Sequence, residues 1–301
     1  MGEDQLGGVL VVFQTPYNAD LSIDPVTLER EIDWIYNGGA QGIVMAMVSE
    51  VLRLSSEERD EVAELACRLG KTQGSVVISV GAESTPVAVR HARHAEEAGA
   101  DAVMAIPPIS VVLDDDQILG YYEEILSSVG VPVIVQDASA YVGRPMSIAV
   151  QAELHAPHRE RVVYKPQARP IPPRLVELRM ATGGKARAFE GSGGVALIET
   201  YPLGVVGTMP GADLTPAVVE LWEALEADDL ERARRIHEPL AALVSLADSL
   251  DAFLAVEKHL LVRQGVFRNA LVRGPVGFAL DEAGEQEVDE KFDELMAAVG
   301  A

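Results

Sequence analysis

Short apolar runs alternate along this chain with longer segments in which apolar residues recur every three or four positions. The first pattern is that of buried parallel strands and the second that of amphipathic helices, so their regular alternation predicts repeated βα units. Eight runs qualify as strands, at residues 9–14, 42–47, 75–80, 102–106, 132–136, 162–165, 186–190 and 204–208. Helical periodicity fills segments between them, such as residues 25–37, 56–69, 86–97 and 115–127. These helices open on Asp, Ser or Thr, and several carry Pro in the first turn. Glycine closes several of them, at Gly38-Gly39, Gly70, Gly99 and Gly130, where a left-handed cap is expected. Eight such units predict an α/β fold, a (β/α)₈ TIM barrel, which takes about 250 residues. Helical periodicity continues beyond the eighth strand through residues 216–227, 230–246, 250–264 and 288–297. The expected organisation is a barrel over residues 1–227 and a C-terminal helical extension over residues 228–301, with no low-complexity linker between them.

In such a barrel the chemistry is built at the C-terminal ends of the strands. The polar residues there are Gln14-Thr15, Ser49-Glu50, Gly81 to Glu83, Gln136-Asp137, Lys165, Glu190-Gly191-Ser192 and Thr208. Of the five lysines (Lys71, Lys165, Lys185, Lys258 and Lys291), only Lys165 ends a strand; the others lie in helix-end, loop or amphipathic helical contexts. A lysine aimed into a mouth walled by Val, Ile and Met loses hydration, which disfavours its ammonium form and readies the amine to attack a carbonyl. A buried lysine paired with a carboxylate for structure is the alternative. Tyr164, one residue earlier, should point to the opposite face and pack beneath a helix.

Composition narrows the picture. Cys67 is the single cysteine, so an intrachain disulfide and a Cys-based zinc site are both excluded. His91 and His94 read as a solvated helix face rather than a metal pair, and no metal is expected. A formal charge of −23 argues against nucleic acid or an anionic membrane as partner. The apolar runs fall far short of the roughly 20 residues a membrane span needs. The start Met1-Gly2-Glu3-Asp4 lacks the basic residues of a signal peptide, so the expected location is cytoplasmic.

Several motifs, in order, then carry a resemblance. They are Thr15-Pro16-Tyr17, Ser49-Glu50 with Leu54-Ser55-Ser56-Glu57-Glu58-Arg59, Gly99-Ala100-Asp101-Ala102, Pro107-Pro108 and Lys165, followed by residues 204–207 and 258–265. Together they resemble the dihydrodipicolinate synthase/N-acetylneuraminate lyase family over almost the whole chain. The resemblance implies a class I aldolase-type lyase. In that chemistry Lys165 forms a Schiff base with a small 2-oxo acid such as pyruvate, without a metal or organic cofactor, in a homo-oligomer (dimer or tetramer). The turn after the second strand would hold the substrate carboxylate, here at Val48 and Ser49, with Thr15 nearby.

Departures from the family pattern redirect the expected substrate. Its Gly-Thr-Thr-Gly-Glu reads Ala46-Met47-Val48-Ser49-Glu50 here, and its Tyr-Asn after strand five reads Gln136-Asp137. The proton-relaying hydroxyls are therefore absent, and glutamine orients without titrating. The arginine that binds a second carboxylate in dihydrodipicolinate synthases aligns with Tyr141. Residues 135–138, 190–194 and 207–211 resemble the branch that dehydrates 2-keto-3-deoxy sugar acids, although Gln167 stands where that branch commonly has an acid. Tyr141 is then a candidate acid–base group, and Asp137, Gln167, Gly191 and Ser192 are candidate substrate contacts. Glu190 is expected either to face the substrate or to anchor a loop, Glu50 to pair with the backbone or Arg53 rather than act in catalysis, and Arg169 to form a surface ion pair rather than meet a substrate carboxylate. Three functional readings stand: a Schiff-base dehydratase or aldolase of a hydroxylated 2-oxo acid, a dihydrodipicolinate synthase, and a catalytically silent barrel that binds a small oxo acid.

Overall fold

The computed structural model describes residues 6–300; the Met1 to Asp4 start read above lies outside them. Eight parallel strands close a barrel in chain order: β1 (Gly8–Val12), β2 (Gly42–Val44), β3 (Ser75–Ser79), β4 (Ala102–Ala105), β5 (Val133–Asp137), β6 (Val162–Pro166), β7 (Arg187–Glu190) and β8 (Gly207–Thr208). Around them lie α1 (Pro25–Asn37), α2 (Ser56–Gly70), α3 (Thr85–Ala98), α4 (Asp115–Ser128), α5 (Ile148–His158), α6 (Ile171–Ala181), α7 (Leu197–Thr200) and α8 (Thr215–Glu226). Then follow α9 (Leu230–Val244), α10 (Leu250–Arg263) and α11 (Glu282–Val299). The sequence places all eight strands but draws β2 and β8 longest beyond their observed bounds. After Val44 the chain turns as a 3₁₀ segment at Met47–Ser49, closed by the Ser49 Oγ that accepts from the Ala46 N–H at 3.0 Å. Before Gly207 it makes a 3₁₀ turn at Tyr201–Leu203 that ends on left-handed Gly204.

Side chains divide by strand alternation. Leu10, Val44, Met104, Ile134, Val163 and Phe189 fill the barrel interior, while Val9, Ile43, Val103, Val133, Val162 and Tyr164 pack under the helices. Tyr164 lies on the outer face as expected, its phenol donating to the Gln151 carbonyl of α5 at 2.6 Å. Lys165 therefore shares the interior face with Val163. Of the glycine caps, Gly99 takes the left-handed conformation at φ 99°. Gly70 instead ends α2 within the helix; there a Cβ would meet Val76 Cγ2 at 2.5 Å, so close packing selects the glycine. His91 corrects another expectation, since it is buried and bonded to Asp60 at 3.1 Å rather than solvated. Among the described residues no acidic, His and Cys cluster has the makings of a metal site, and no helix is long and apolar enough to cross a membrane.

α10 crosses to the end of the barrel at which the strands terminate, touching the Met47–Ser49 turn and the loop after β8. It is pinned there by Lys258, which is completely buried and ion-paired with Glu50. Lys258 also donates to the carbonyls of Thr15 at 2.8 Å and Leu271 at 2.7 Å, and its Nζ lies 4.5 Å from the Tyr17 ring centroid. So Glu50 is structural, as expected, but Lys258 rather than Arg53 is its principal partner; the Arg53 guanidinium stands 3.9 Å away. Arg273 adds a second clamp, reaching both carboxylate oxygens of Glu58 at 2.6 and 2.7 Å.

Candidate active site

Lys165 is 3% exposed and stands at the interior tip of β6, where the strand register sets Gln136 of β5 beside it. Its amine has no hydrogen bond or ion pair among the described residues, in contrast to the fully engaged Lys258. Burial pulls its pKa down from the usual lysine range to about 8, a shift that the charge of Glu190 only partly opposes. The structural alternative for Lys165, a buried pair with a carboxylate, is therefore not what the chain builds. A cavity of about 30 Å³ opens over the amine, with Val12, Met47, Val48, Tyr141, Met209 and Phe253 among its walls.

Neutral amides flank the lysine. Gln136 Nε2 donates to Gln167 Oε1 at 2.7 Å, and Gln167 Nε2 donates to the Gly191 carbonyl at 2.8 Å. This chain ties the tips of β5, β6 and β7 without placing a negative charge beside the amine, and a negative charge there would favour the ammonium form. Gly191 has to be small, because a Cβ would meet Gln167 Cγ at 2.9 Å and Lys165 Cγ at 3.0 Å.

The turn after β2 is buttressed from below. Ser49 Oγ donates to the Phe13 carbonyl at 2.5 Å, and Thr15 Oγ1 donates to the Ser49 carbonyl at 2.6 Å. Both hydroxyls are thus committed to holding the turn, and neither residue is among the cavity walls. Val48 is, and its backbone N–H has no protein acceptor among the described residues.

Tyr141 belongs to a turn following β5, with its N–H on the Ala138 carbonyl at 2.9 Å. Its ring lines the lysine cavity and meets Phe253 of α10 edge-on at 6.2 Å. Burial raises its pKa, opposed in part by the Arg169 guanidinium, so the phenol carries its proton at neutral pH. Arg169 is exposed and forms no ion pair among the described residues, contrary to the surface pairing expected for it.

Glu190 and Asp137 face backbone rather than cavity. Glu190 accepts from Ser192 N–H at 2.5 Å, the Ser192 hydroxyl, Gly194 N–H at 3.0 Å and Thr208 Oγ1 at 2.7 Å. Of its two expected roles, it takes that of loop anchor, and it thereby positions Gly191 and Ser192 at the cavity edge. Asp137 accepts from the N–H groups of Ser139 at 3.1 Å and Met146 at 3.0 Å, holding the loop that carries Tyr141. The sequence reading missed Met209, Leu214, Val244 and Phe253 of the cavity wall. It also missed the buried carboxyls of Glu31 and Glu257, which burial raises well above their usual range. They fix Gln14 and the Ala212 N–H beneath the mouth.

Comparison with known proteins follows the same lines. A match to the dihydrodipicolinate synthetase family covers residues 5–294. The chain is 29% identical over 238 residues to a 4-hydroxy-tetrahydrodipicolinate synthase of Acidiphilium cryptum, spanning 78% of this chain and 81% of that protein. It is 26% identical over 294 residues to a DapA-like lyase of Pyrococcus horikoshii, spanning 96% and 99%. In fold it is similar to dihydrodipicolinate synthase of Oceanobacillus iheyensis, with TM-score 0.86, 22% identity and 96% of each chain covered. It is also similar in fold to a catalytic-lysine mutant of Ruminococcus gnavus sialic acid aldolase, with TM-score 0.85, 20% identity, and 97% of this chain and 96% of that one covered. With the match running over nearly its entire length, this chain belongs to the dihydrodipicolinate synthetase family.

Proposed function

We propose that this protein is a Schiff-base lyase in which Lys165 condenses with a hydroxylated 2-oxo acid and a carbon–carbon or carbon–oxygen bond of that substrate is then broken. Members of the family are lyases of the class I aldolase type. The observation that carries the reading is a buried lysine with a free amine and a pKa lowered to about 8, opening on a cavity at the catalytic end of the barrel.

In the proposed reaction the neutral amine attacks C2, the carbinolamine loses water, and the protonated imine accepts the electron pair released at C3. In an aldol cleavage the C3–C4 bond breaks as the C4 hydroxyl gives up its proton, leaving an enamine and an aldehyde. In a dehydration C3 loses a proton and the C4 hydroxyl leaves as water. The enamine left by aldol cleavage takes a proton at C3 to become the imine, and hydrolysis of the imine returns Lys165 in either case. The free Val48 N–H suits the substrate carboxylate, as backbone donors do for anions. Gln136 and Gln167 orient, and Tyr141 supplies or takes the C4 hydroxyl proton. A homo-oligomeric, cytoplasmic enzyme is part of the same reading, and light scattering in solution checks the assembly.

The pH dependence of imine formation tests the role of the amine. Below a pKa of about 8 the neutral fraction falls about tenfold per pH unit. The rate of pyruvate capture should therefore rise with pH, reach half its maximum near pH 8 and level off above it. Gln167→Glu adds a carboxylate beside the amine, favours the ammonium form and should slow capture at neutral pH by about tenfold or more, with recovery at higher pH. An unchanged midpoint in the variant would separate the titration from Lys165.

The runner-up is a dihydrodipicolinate synthase. It needs a cation for the second carboxylate of its product, where this chain offers the phenol of Tyr141. Turnover of pyruvate with aspartate semialdehyde should be negligible. A specificity constant of about 10⁴ M⁻¹s⁻¹ or above would promote the runner-up instead.

A further inference from the structure

A second cavity, about 500 Å³, opens outward from the lysine cavity and shares Tyr141, Gln167, Gly191, Ser192 and Val244 with it. It is much the larger of the two, so a substrate held at Lys165 has room to extend beyond its three-carbon head in this direction. The loop after β6, the loop after β7 and the end of α9 form its walls, which include Ile171, Pro172, Val195, Ala196, Ala241 and Val244.

Of the uncharged polar side chains on its walls, the Tyr141 phenol is left for the C4 hydroxyl, and the others are already committed. Gln167 spends its oxygen on Gln136 and its nitrogen on the Gly191 carbonyl. The Ser192 hydroxyl donates to Glu190 and accepts from Ala196 N–H at 2.9 Å. Ser245 Oγ donates to the Ala242 carbonyl at 2.6 Å. The charged groups on its walls, Arg169, Glu199 and Asp248, are exposed. Away from those exposed charges, a polyhydroxylated tail would set its hydroxyls against valine, isoleucine, proline and alanine without partners, whereas an apolar tail is desolvated there at no such cost.

We infer that the outer cavity is a specificity pocket for a hydrophobic tail, so that the substrate is a 4-hydroxy-2-oxo acid bearing an aryl or branched aliphatic group on C4 rather than a sugar chain. This rests on the Schiff-base reading of Lys165 and narrows its substrate class away from the sugar acids that the sequence resemblance points to. Cleavage of such an acid breaks C3–C4 and sends the electron pair into the imine. The products are a hydrophobic aldehyde, which leaves through the outer cavity, and an enamine that is protonated at C3 and hydrolysed to pyruvate.

The test reads binding and imine formation without requiring turnover. Half-maximal borohydride labelling of Lys165 is measured for pyruvate, 2-oxo-4-phenylbutanoate and 2-oxo-3-deoxygluconate. The phenyl acid should label at a concentration about tenfold or more below the polyol, the scale on which a hydrophobic pocket discriminates. In Val195→Asp, with each value normalised to pyruvate labelling of the same protein, that preference should collapse. A polyol that labels as well as or better than the phenyl acid, or a preference unmoved in Val195→Asp, overturns the assignment of the pocket. If none of the three acids labels Lys165, the Schiff-base reading falls and takes this inference with it. Pyruvate labelling with the reverse order of tails sinks the pocket assignment alone.

Discussion

Replacing Tyr141 with Phe should lower kcat by about 10²–10⁴-fold, the usual size of one general acid–base contribution, while borohydride capture of pyruvate at Lys165 survives. The two measurements separate because imine formation needs the neutral amine, whereas bond breaking at C3 or C4 needs a proton moved. The usual hydroxyls of the family are replaced by Met47 and Gln136, neither of which titrates. Tyr141 is the phenol that lines the same cavity as Lys165, and burial keeps it protonated at neutral pH. Phe preserves the edge-on contact with Phe253, so a loss of folding is not the expected cause. Normal turnover in Tyr141→Phe would clear the residue and move attention to Ser192 or to a carboxylate carried by the substrate.

The second large effect concerns stability. Glu50→Ala leaves the Lys258 ammonium buried with two carbonyls and without the carboxylate that is ion-paired with it, and stranding one partner of a buried pair costs about 3–5 kcal/mol. Removing both charges, in Glu50→Gln with Lys258→Met, should recover much of that loss, since no buried charge is then left without its partner. Urea denaturation of the two proteins compares them. A loss under about 1 kcal/mol in Glu50→Ala, the range of exposed pairs, would mean that water reaches the Lys258 site. Activity should fall along with stability, because Glu50 follows directly on the turn that carries Val48.

How much of this was legible in the sequence depends on the distance over which each signal acts. Lys165 could be found because a strand end is a local pattern and no other lysine sits at one. Gln136 followed from the same argument, and parallel register then sets it beside Lys165. Tyr141 was reached through its nearness to the tip of β5. Ser49 was legible as a residue of the right turn and Thr15 as its neighbour after β1, but neither as a support of that turn, because the direction of a hydroxyl depends on a carbonyl from another part of the chain. Glu190 illustrates the same limit: its acceptors are filled by a loop that wraps back onto it.

Phe253, Leu214 and Val244 escaped because α10, the β8 loop and α9 reach the mouth only through tertiary packing. Lys258 did leave a signal. It lies four residues after Leu254 and three before Leu261, on the face of α10 that is buried, so the periodicity that defined the helix also marks this lysine as internal. The overlong drawing of β2 and β8 has a comparable origin, since apolar residues continue past Val44, where the backbone turns, and begin at Val205, ahead of the paired residues of β8.

The central claim, covalent catalysis through Lys165, is tested most directly by reducing the protein with borohydride in the presence of pyruvate or a longer 2-oxo acid and mapping the adduct by mass spectrometry. The account predicts one reduced adduct per chain, confined to the peptide that contains Lys165, dependent on the 2-oxo acid and absent from Lys165→Ala. An adduct that maps to another lysine, that persists in Lys165→Ala, or that no 2-oxo acid produces in the unaltered protein would contradict it.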